Sequence, residues 1–241
     1  MRENCGLRQG MKILDMAAGC GTFVFYGLLN GFDIFGVEPE GWKLKFNRMK
    51  MAEYRYPGNW INRFIKARGE NLPVKSECFD MAASYQTLEH VSEVEKCLQE
   101  MLRIVKSGGY VCLSFPDYRS TFEGHYRLPW LPCLFKPLAG LYLKLLGRPV
   151  AGLNALNYVT RGRVAKMIQK LDSRVEIVDL DKAAFRKRTG SIIHRLKMMK
   201  APGGLTIPAV LINLVYTGLF LRLGRLFHAE KQVWLMVRKC S

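Results

Sequence analysis

The sequence lacks any C-x-x-C pair, and its seven cysteines are scattered along 241 residues. This spacing argues against a cysteine-ligated metal site and against a disulfide framework, so no metal is expected. The chain also lacks internal repeats, low-complexity tracts and an apolar secretory segment at its N-terminus. We therefore expect a single domain over residues 1–241 that resides in a reducing cytosol.

Acidic residues are scarce, since 20 Asp and Glu stand against 37 Lys and Arg, which leaves a net charge of +17. The bases cluster in the second half of the chain, from Tyr118 onward. Such an excess is typical of proteins that meet a polyanion, either anionic lipid head groups or nucleic acid. A basic surface without a partner is the alternative.

Two apolar stretches lie among these bases. Residues 128–146 are interrupted only by Lys136 and Lys144, and residues 203–221 carry no charge. Apolar segments flanked by bases favour a helix lying in the interface of an anionic membrane. A cap over a substrate pocket, a bilayer span and a homo-oligomer interface remain open. Nucleic-acid surfaces interleave bases with aromatic residues, so this segregation argues against nucleic acid as the partner.

Near the start of the chain, an apolar run ends at Asp15 and leads into a turn of small residues that contains Ala17, Gly19 and Gly21. The order predicts a strand, a tight turn and a helix. Small residues let the backbone approach a ligand closely, and the free amides of the helix N-terminus face that ligand. The Asp15 carboxylate suits an ammonium or hydroxyl group and would repel a pyrophosphate. The dinucleotide pattern is incomplete, because Val24 replaces its third glycine.

Further apolar runs of strand length follow the turn. Residues 33–38 end in Glu38, at the spacing where doubly wound proteins present an acid to ribose hydroxyls. Residues 79–85 and 109–116 predict two more strands, and residues 91–105 predict a helix with one apolar face. The pattern predicts an α/β fold with a doubly wound, mostly parallel sheet that binds ligands at the carboxyl ends of its strands.

The second half adds further predicted elements. A glycine turn at residues 107–109 introduces the last strand of the first half. Residues 160–171 predict a helix with Thr160 as its N-cap, and residues 175–180 and 232–237 predict two late strands.

Taken in order, these residues resemble the class I S-adenosylmethionine-dependent methyltransferases, closest to the branch of the ubiquinone and menaquinone methyltransferases. The resemblance covers about residues 10–118. It implies a seven-stranded sheet with an antiparallel edge pair, and S-adenosyl-L-methionine as the cofactor. The matching motifs are Leu14-Asp15-x-Ala17-x-Gly19-x-Gly21, Glu38, Glu70-Asn71-Leu72-Pro73, Leu88-Glu89-His90-Val91 and Arg103-Ile104-Val105-Lys106-Ser107-Gly108-Gly109.

The resemblance also implies which residues contact the cofactor. The turn from Ala17 to Gly21, preceded by Asp15, would hold its methionine part, and Glu38 would bind its ribose hydroxyls. The remaining contacts would be made along the adenine and near the sulfonium, by Glu70, Asn71, Tyr85 and Gln86.

Two departures from the family pattern matter. Arg68 stands where family members often carry an acid for the adenine amino group, so that contact is in doubt. The chain also begins only about ten residues before the first predicted strand. Unless the start is truncated, we expect another segment or a second subunit to cover the cofactor.

The acceptor side offers one histidine in a suitable place. His125 follows the strand at residues 109–116, and an imidazole with a pKa of about 6.5 suits the deprotonation of a hydroxyl acceptor. A loop histidine without a catalytic role is the alternative. Tyr126 and Arg127 are candidates to bind a phosphate or carboxylate on the acceptor. Glu89 and His90 are candidates to line the same pocket.

The sequence therefore predicts a methyltransferase that acts on a hydrophobic or lipid-linked small molecule, with oxygen as the preferred acceptor atom. A lipid-linked sugar is the leading substrate and a quinone precursor the next. Residues 1–117 would form the cofactor half, and residues 118–157 and 182–231 would be insertions that cap the substrate or contact the inner face of a membrane. The alternatives are an RNA methyltransferase, suggested by the charge, and a non-catalytic partner subunit with this fold.

Overall fold

The computed structural model describes residues 7–180 and 232–240, in which strands and helices alternate along the chain. The strands are β1 (Lys12–Met16), β2 (Asp33–Val37), β3 (Phe64–Ile65), β4 (Phe79–Tyr85), β5 (Val105–Phe115), β6 (Phe122–Glu123), β7 (Leu128–Pro129), β8 (Val175–Asp179) and β9 (Val233–Lys239). The helices are α1 (Thr22–Leu29), α2 (Gly41–Glu53), α3 (Val94–Ile104), α4 (Lys136–Leu145) and α5 (Arg161–Leu171).

Seven of the strands form one sheet, in the order β3-β2-β1-β4-β5-β9-β8. The five strands from β3 to β5 run parallel, and β9 is antiparallel to both β5 and β8. The predicted doubly wound, mostly parallel sheet and its antiparallel edge pair are therefore confirmed. The strand β3, which has only two residues, was not predicted from the sequence.

The sheet is covered on both faces, as buried parallel strands require. On one face, Leu98 and Met101 of α3 and Ile168 of α5 pack against the central strands. On the other face, Val24 of α1 packs against Ile34 of β2. The helices on each face hold the strand ends in fixed positions.

Two helix predictions can be compared directly with the structure. Thr160 caps α5 as predicted, since its hydroxyl accepts a hydrogen bond from the Arg163 amide at 3.3 Å. The helix predicted over residues 91–105 is shorter and runs from Val94 to Ile104. It starts late because the amides of Ser92 and Glu93 donate to a carboxylate oxygen of Glu70, at 2.8 and 3.4 Å, before the helix begins.

The turn predicted at residues 107–109 falls within the bounds of β5. The pairing with β4 passes from Phe79↔Val105 to Met81↔Tyr110, so residues 106–109 form a bulge in the strand. Gly108 adopts a left-handed φ of 77° there. Glycine marks a bulge as readily as a turn, so the residue type alone did not separate the two.

The segment after β5 builds a small hydrophobic cluster outside the sheet. Strands β6 and β7 pair as an antiparallel hairpin, and α4 packs one face beside it. The residues buried in this cluster are Trp130, Ala139, Leu143 and Leu153.

The opposite face of α4 is apolar and exposed. Leu138, Leu141 and Leu145 expose 56%, 55% and 78% of their surface. Within residues 7–180 and 232–240, none of the helices has the length and apolar character needed to cross a membrane. The apolar stretch at residues 203–221 and most of the expected insertion at 182–231 lie outside the described residues.

Candidate functional site

The parallel pairing of the central strands brings several predicted site residues to one edge of the sheet. Asp15 in β1 lies beside Gly36 in β2 and Ala83 in β4. Glu38 and Gln86 directly follow the ends of β2 and β4. The carboxyl ends of the strands thus form a common edge, as the fold class requires.

The turn between β1 and α1 is left-handed at three positions. Ala17, Gly19 and Gly21 have φ values of 59°, 56° and 71°. A Cβ atom on Gly21 would lie 2.9 Å from the Phe25 ring, so glycine is needed there for packing. A Cβ on Gly19 would meet no atom within 4 Å, so this part of the turn faces open space.

Glu38 is anchored against the turn. Its side chain is 1% exposed, and one carboxylate oxygen accepts a hydrogen bond from the Gly19 amide at 2.8 Å. The other oxygen accepts from the Glu40 amide at 3.0 Å and lies 3.6 Å from the Lys43 ammonium. An ionised carboxylate can accept about four hydrogen bonds, so it retains capacity for hydroxyl donors of a ligand.

Asp15 is buried beside this carboxylate. Burial and, secondarily, the negative charge of Glu38 together raise its pKa to about 7. A cationic ligand group next to Asp15 would favour its ionised form. The electrostatic environment of Asp15 is therefore compatible with the ligand ammonium group that the sequence predicts beside it.

Glu70 and Asn71, the two residues predicted to lie along the adenine, are held in other contacts. The Glu70 carboxylate is engaged with the chain just before α3, as described above. Asn71 is exposed and forms an isolated β-bridge with Arg68. The structure thus gives Glu70 a role in ordering the backbone.

Two residues of α2 that the sequence analysis missed hold the turn from behind. The side-chain amide of Asn47 donates to the Gly19 carbonyl at 3.2 Å, and the Lys50 ammonium donates to the Cys20 carbonyl at 2.7 Å. Asn47 is fully buried. The sequence around Asn47 does not predict this burial, because a single Asn in a polar helix is usually a surface residue.

A cavity of about 300 Å³ opens between the strand ends and the β6–β7 hairpin. Its wall includes Gln86 from the end of β4, Tyr118 after β5, and Glu123 and His125 of the hairpin. Tyr85 is exposed beside it and packs its ring against Trp234, with the ring centroids 5.8 Å apart. The cavity therefore adjoins the edge that carries the Gly19 turn.

The hairpin holds His125 in a defined orientation. Its Nδ1 lies 2.7 Å from a carboxylate oxygen of Glu123, and its Nε2 lies 3.3 Å from Nε2 of His90. The second oxygen of Glu123 accepts from the Tyr126 amide at 2.7 Å. Glu123 is buried and was missed by the sequence analysis, although its position two residues before His125 offered a signal.

The other residues predicted to bind the acceptor differ in their exposure. Tyr126 stacks on Trp130 with an interplanar angle of 6°, and Arg127 is exposed on the hairpin. Glu89 is fully buried, and within the described residues neither of its carboxylate oxygens has a hydrogen-bond partner.

These environments change the pKa values in the cluster. The hydrogen bond that His125 Nδ1 donates to the Glu123 carboxylate raises the pKa of His125. Burial and the neighbouring His125 lower the pKa of His90, and burial raises the pKa of Glu89 to about 7. The structure thus brings the adjacent residues Glu89 and His90 together with His125, which is distant in the sequence and lines the cavity.

Comparison with known proteins agrees with this description. Residues 14–113 match the family described as a methyltransferase domain. A curated relative from Mycobacterium bovis, named an uncharacterized methyltransferase, is 32% identical over 116 residues, which are 48% of this chain and 43% of the relative. The matched part therefore spans less than half the length of that relative.

Solved structures share the fold at low sequence identity. The YcgJ protein from Bacillus subtilis superposes with a TM-score of 0.57 at 14% identity, covering 99% of this chain and 96% of its own. Phosphoethanolamine N-methyltransferase 2 from Haemonchus contortus, in complex with S-adenosyl-L-methionine, has a TM-score of 0.56 at 12% identity and covers 99% of this chain and 50% of its own.

Residues 14–113 match the methyltransferase domain family, and the sheet and helices have the Rossmann-like fold shared by solved methyltransferase structures. The resemblance predicted from the sequence is confirmed. The cofactor of this class is S-adenosyl-L-methionine, and the open Gly19 turn between two acidic side chains fits a ligand with an ammonium and hydroxyl groups.

The raised pKa of Asp15 predicts a pH dependence of folding stability. The folded state holds the Asp15 proton more tightly than the unfolded chain, so the wild type should lose stability as the pH rises from about 4 to about 7. Asp15→Asn removes this loss. The free energy of unfolding of Asp15→Asn minus that of the wild type should rise by about 1.4 kcal/mol per pH unit between pH 5 and pH 7. Above pH 7 this difference should level off. Urea unfolding at each pH measures the difference.

Glu40→Gln is the matched control, because Glu40 is an exposed acid on the loop after β2, near Glu38, and its hydrogen bond with Lys43 lowers its pKa. The difference between this variant and the wild type should stay flat from pH 5 to pH 8. Parallel stability profiles for the wild type and Asp15→Asn would contradict the assignment of a raised pKa to Asp15.

Proposed function

We propose that this protein is an S-adenosylmethionine-dependent methyltransferase that acts on a small-molecule acceptor bound beside the β6–β7 hairpin. The observation that carries the proposal is the contact between the buried Glu38 carboxylate and the Gly19 amide, beside a turn that is open in front of Gly19. The acceptor cavity adjoins the same strand ends.

On the cofactor side, Glu38 binds the ribose hydroxyls and Asp15 the ammonium of the methionine part. The backbone of Ala17, Gly19 and Gly21 encloses that part closely, since its left-handed turn directs few side chains toward it. Residues Glu70 and Asn71 lie on the adenine side, and Tyr85 and Gln86 lie beside the sulfonium. When bound, the cofactor supplies an electrophilic methyl group.

On the acceptor side, the protein has to hold an acceptor oxygen in line with the methyl group and promote the loss of its proton. His125 is the side chain placed for this task, because it lines the cavity and Glu123 fixes its orientation. Glu89 and His90 lie next to His125 and contribute to the same acceptor site. Tyr126 and the exposed Arg127 lie on the hairpin, where a guanidinium suits a phosphate or carboxylate on the acceptor.

The acceptor is a hydrophobic or lipid-linked molecule reached from the cytosolic face of an anionic membrane. Support comes from the exposed leucines of α4, which flank the hairpin that bounds the cavity, and from the net charge of +17. Lys144 and Arg148 lie exposed near this face. An amphipathic surface of this kind binds anionic interfaces through apolar insertion and charge together. Residues 118–157 then form the acceptor-side insertion of a single domain.

A substitution at Gly19 tests the cofactor site. Gly19→Val should abolish detectable binding of S-adenosylmethionine and of its demethylated product in calorimetry. The valine side chain would occupy the space in front of the turn, and its φ of 56° would be strained.

Gly108→Val separates these two effects, because Gly108 has a similar left-handed φ and open surroundings but lies in the bulge at the start of β5, away from the carboxyl ends of the strands. This control should retain full affinity. A folded wild-type protein that takes up neither ligand would overturn the proposed function.

A substitution at His125 tests the acceptor side. His125→Ala should lower turnover by at least about 100-fold, within the range that a group assisting proton transfer contributes. Affinity for S-adenosylmethionine should change little, since the cofactor contacts lie on other elements. The assay follows transfer of a labelled methyl group into lipid extracts, with products identified by mass spectrometry. Thr121→Ala, an exposed position on the same segment, should keep wild-type turnover. Substantial turnover by His125→Ala would remove His125 from the reaction.

Vesicle binding tests the membrane surface. The protein should co-sediment with vesicles that contain anionic lipid, and high salt should release only part of it, because salt screens charges without affecting apolar insertion. Leu141→Glu on the exposed face of α4 should reduce binding several-fold. Leu29→Glu, at an equally exposed leucine of α1, should not. Equal binding by both variants would assign the contact to another surface.

A further inference from the structure

Three side chains, of which His125 lines the cavity, direct metal-ligating atoms toward one point. Glu89, His90 and His125 each offer one such atom, and these atoms lie within 4.8 Å of one another. The two Nε2 atoms are 3.3 Å apart, and His90 Nε2 is 4.0 Å from a carboxylate oxygen of Glu89. Two nitrogens bound tetrahedrally to Zn²⁺ at about 2.0–2.1 Å are separated by about 3.3 Å. The histidine pair thus already has the spacing that a bound ion requires.

The Glu89 carboxylate is a second and independent observation. It is fully buried, and neither oxygen has a hydrogen-bond partner in the part of the chain that the structure describes. A buried carboxylate without partners is costly, and proteins normally pair such groups with cations or use them as metal ligands. Because the carboxylate lies beside the two imidazoles, a cation at their meeting point would compensate it.

Glu123 supplies the support that metal-bound histidines usually have. A carboxylate 2.7 Å from His125 Nδ1 favours the tautomer with the proton on Nδ1, which leaves the Nε2 lone pair free to bind a metal. The same carboxylate is held by the Tyr126 amide. His125 is therefore oriented with Nε2 toward His90.

We propose that Glu89, His90 and His125 bind a divalent transition-metal ion of the Zn²⁺ class, with Glu123 as the residue that positions His125. The ligands are nitrogen and oxygen, so the expectation of no metal site, which rested on cysteine spacing, did not address them. Two imidazoles and a carboxylate are a ligand set that such ions accept, and they leave at least one coordination position open.

The carboxylate of Glu89 has to approach the two nitrogens by about 1 Å to complete the coordination, given the usual Zn–O distance of about 2.0–2.2 Å. The His90 side chain is half exposed, at 50%, and is free to follow. An ion held there would border the cavity, where its charge would favour the ionised form of an acceptor hydroxyl. With an ion bound, both nitrogens of His125 are engaged, so the ion and not the imidazole would promote loss of the acceptor proton. This role for the acceptor rests on the proposed function, but metal binding itself does not.

Calorimetric titration of chelator-treated protein with zinc chloride tests the inference. The wild type should bind one ion per chain. Affinity should fall by at least about 10-fold in His90→Ala and His125→Ala, and by about 10–100-fold in Glu123→Gln, the usual effect of removing an orienting carboxylate. Cys133→Ser, which removes an exposed thiol, is the control for adventitious zinc and should leave the affinity unchanged.

Circular dichroism and thermal unfolding establish that each variant is folded, and His90→Ala, at a half-exposed position, provides the test if His125→Ala is unstable. Absence of stoichiometric binding by the wild type would overturn the inference, as would unchanged affinity in folded His90→Ala. Titration of the same samples with S-adenosylmethionine separates the two proposals. Cofactor binding without zinc binding would overturn only the metal site, and the reverse would overturn only the proposed function.

Discussion

The parallel register of β1 between β2 and β4 is the constraint on which the cofactor side depends. Asp15 lies beside Gly36 on one strand and Ala83 on the other, so the chain leaves all three strands at the same edge. A slip of one residue would exchange the two faces of β1 and move Asp15 away from Glu38. The packing of helices on both faces of the sheet prevents such a slip, because each face buries its own apolar set.

This register places two acids together in a buried environment, which is unfavourable for folding. Glu38 offsets its burial with the amides of Gly19 and Glu40 and with the nearby ammonium of Lys43. Asp15 is instead left with a pKa of about 7, so part of the cost remains in the folded chain. An arrangement that costs stability without a ligand is characteristic of binding sites, since a ligand of opposite charge recovers the energy when it binds.

Much of the cofactor side could be predicted from the sequence because its signals are local. The strand ending in Asp15, the Gly19 turn and the acid at Glu38 follow from short apolar runs and a fixed spacing. The short strand β3 and the bulge in β5 could not be predicted, because pairing with a neighbouring strand defines them. Asn47 was missed for a related reason, since its burial against the Gly19 carbonyl results from how α2 packs.

The acceptor side was less predictable, because long-range contacts assemble it. His90 and His125 are 35 residues apart in the chain, and the hairpin that carries Glu123 brings them together. Sequence patterns identified the histidines but not their contact.

The turn at residues 88–91 joins the two sides of the molecule. The side-chain amide of Asn157 donates to the carbonyls of Leu88 and Val91 at 3.3 and 2.6 Å, and its backbone amide donates to the Glu89 carbonyl at 2.7 Å. The segment beyond the hairpin therefore clamps the turn that carries Glu89 and His90. The same turn follows β4 at the edge of the sheet, so these hydrogen bonds connect the acceptor-side segment directly to the end of a central strand. Asn157 thus fixes the turn that carries Glu89 and His90 to the segment beyond the hairpin.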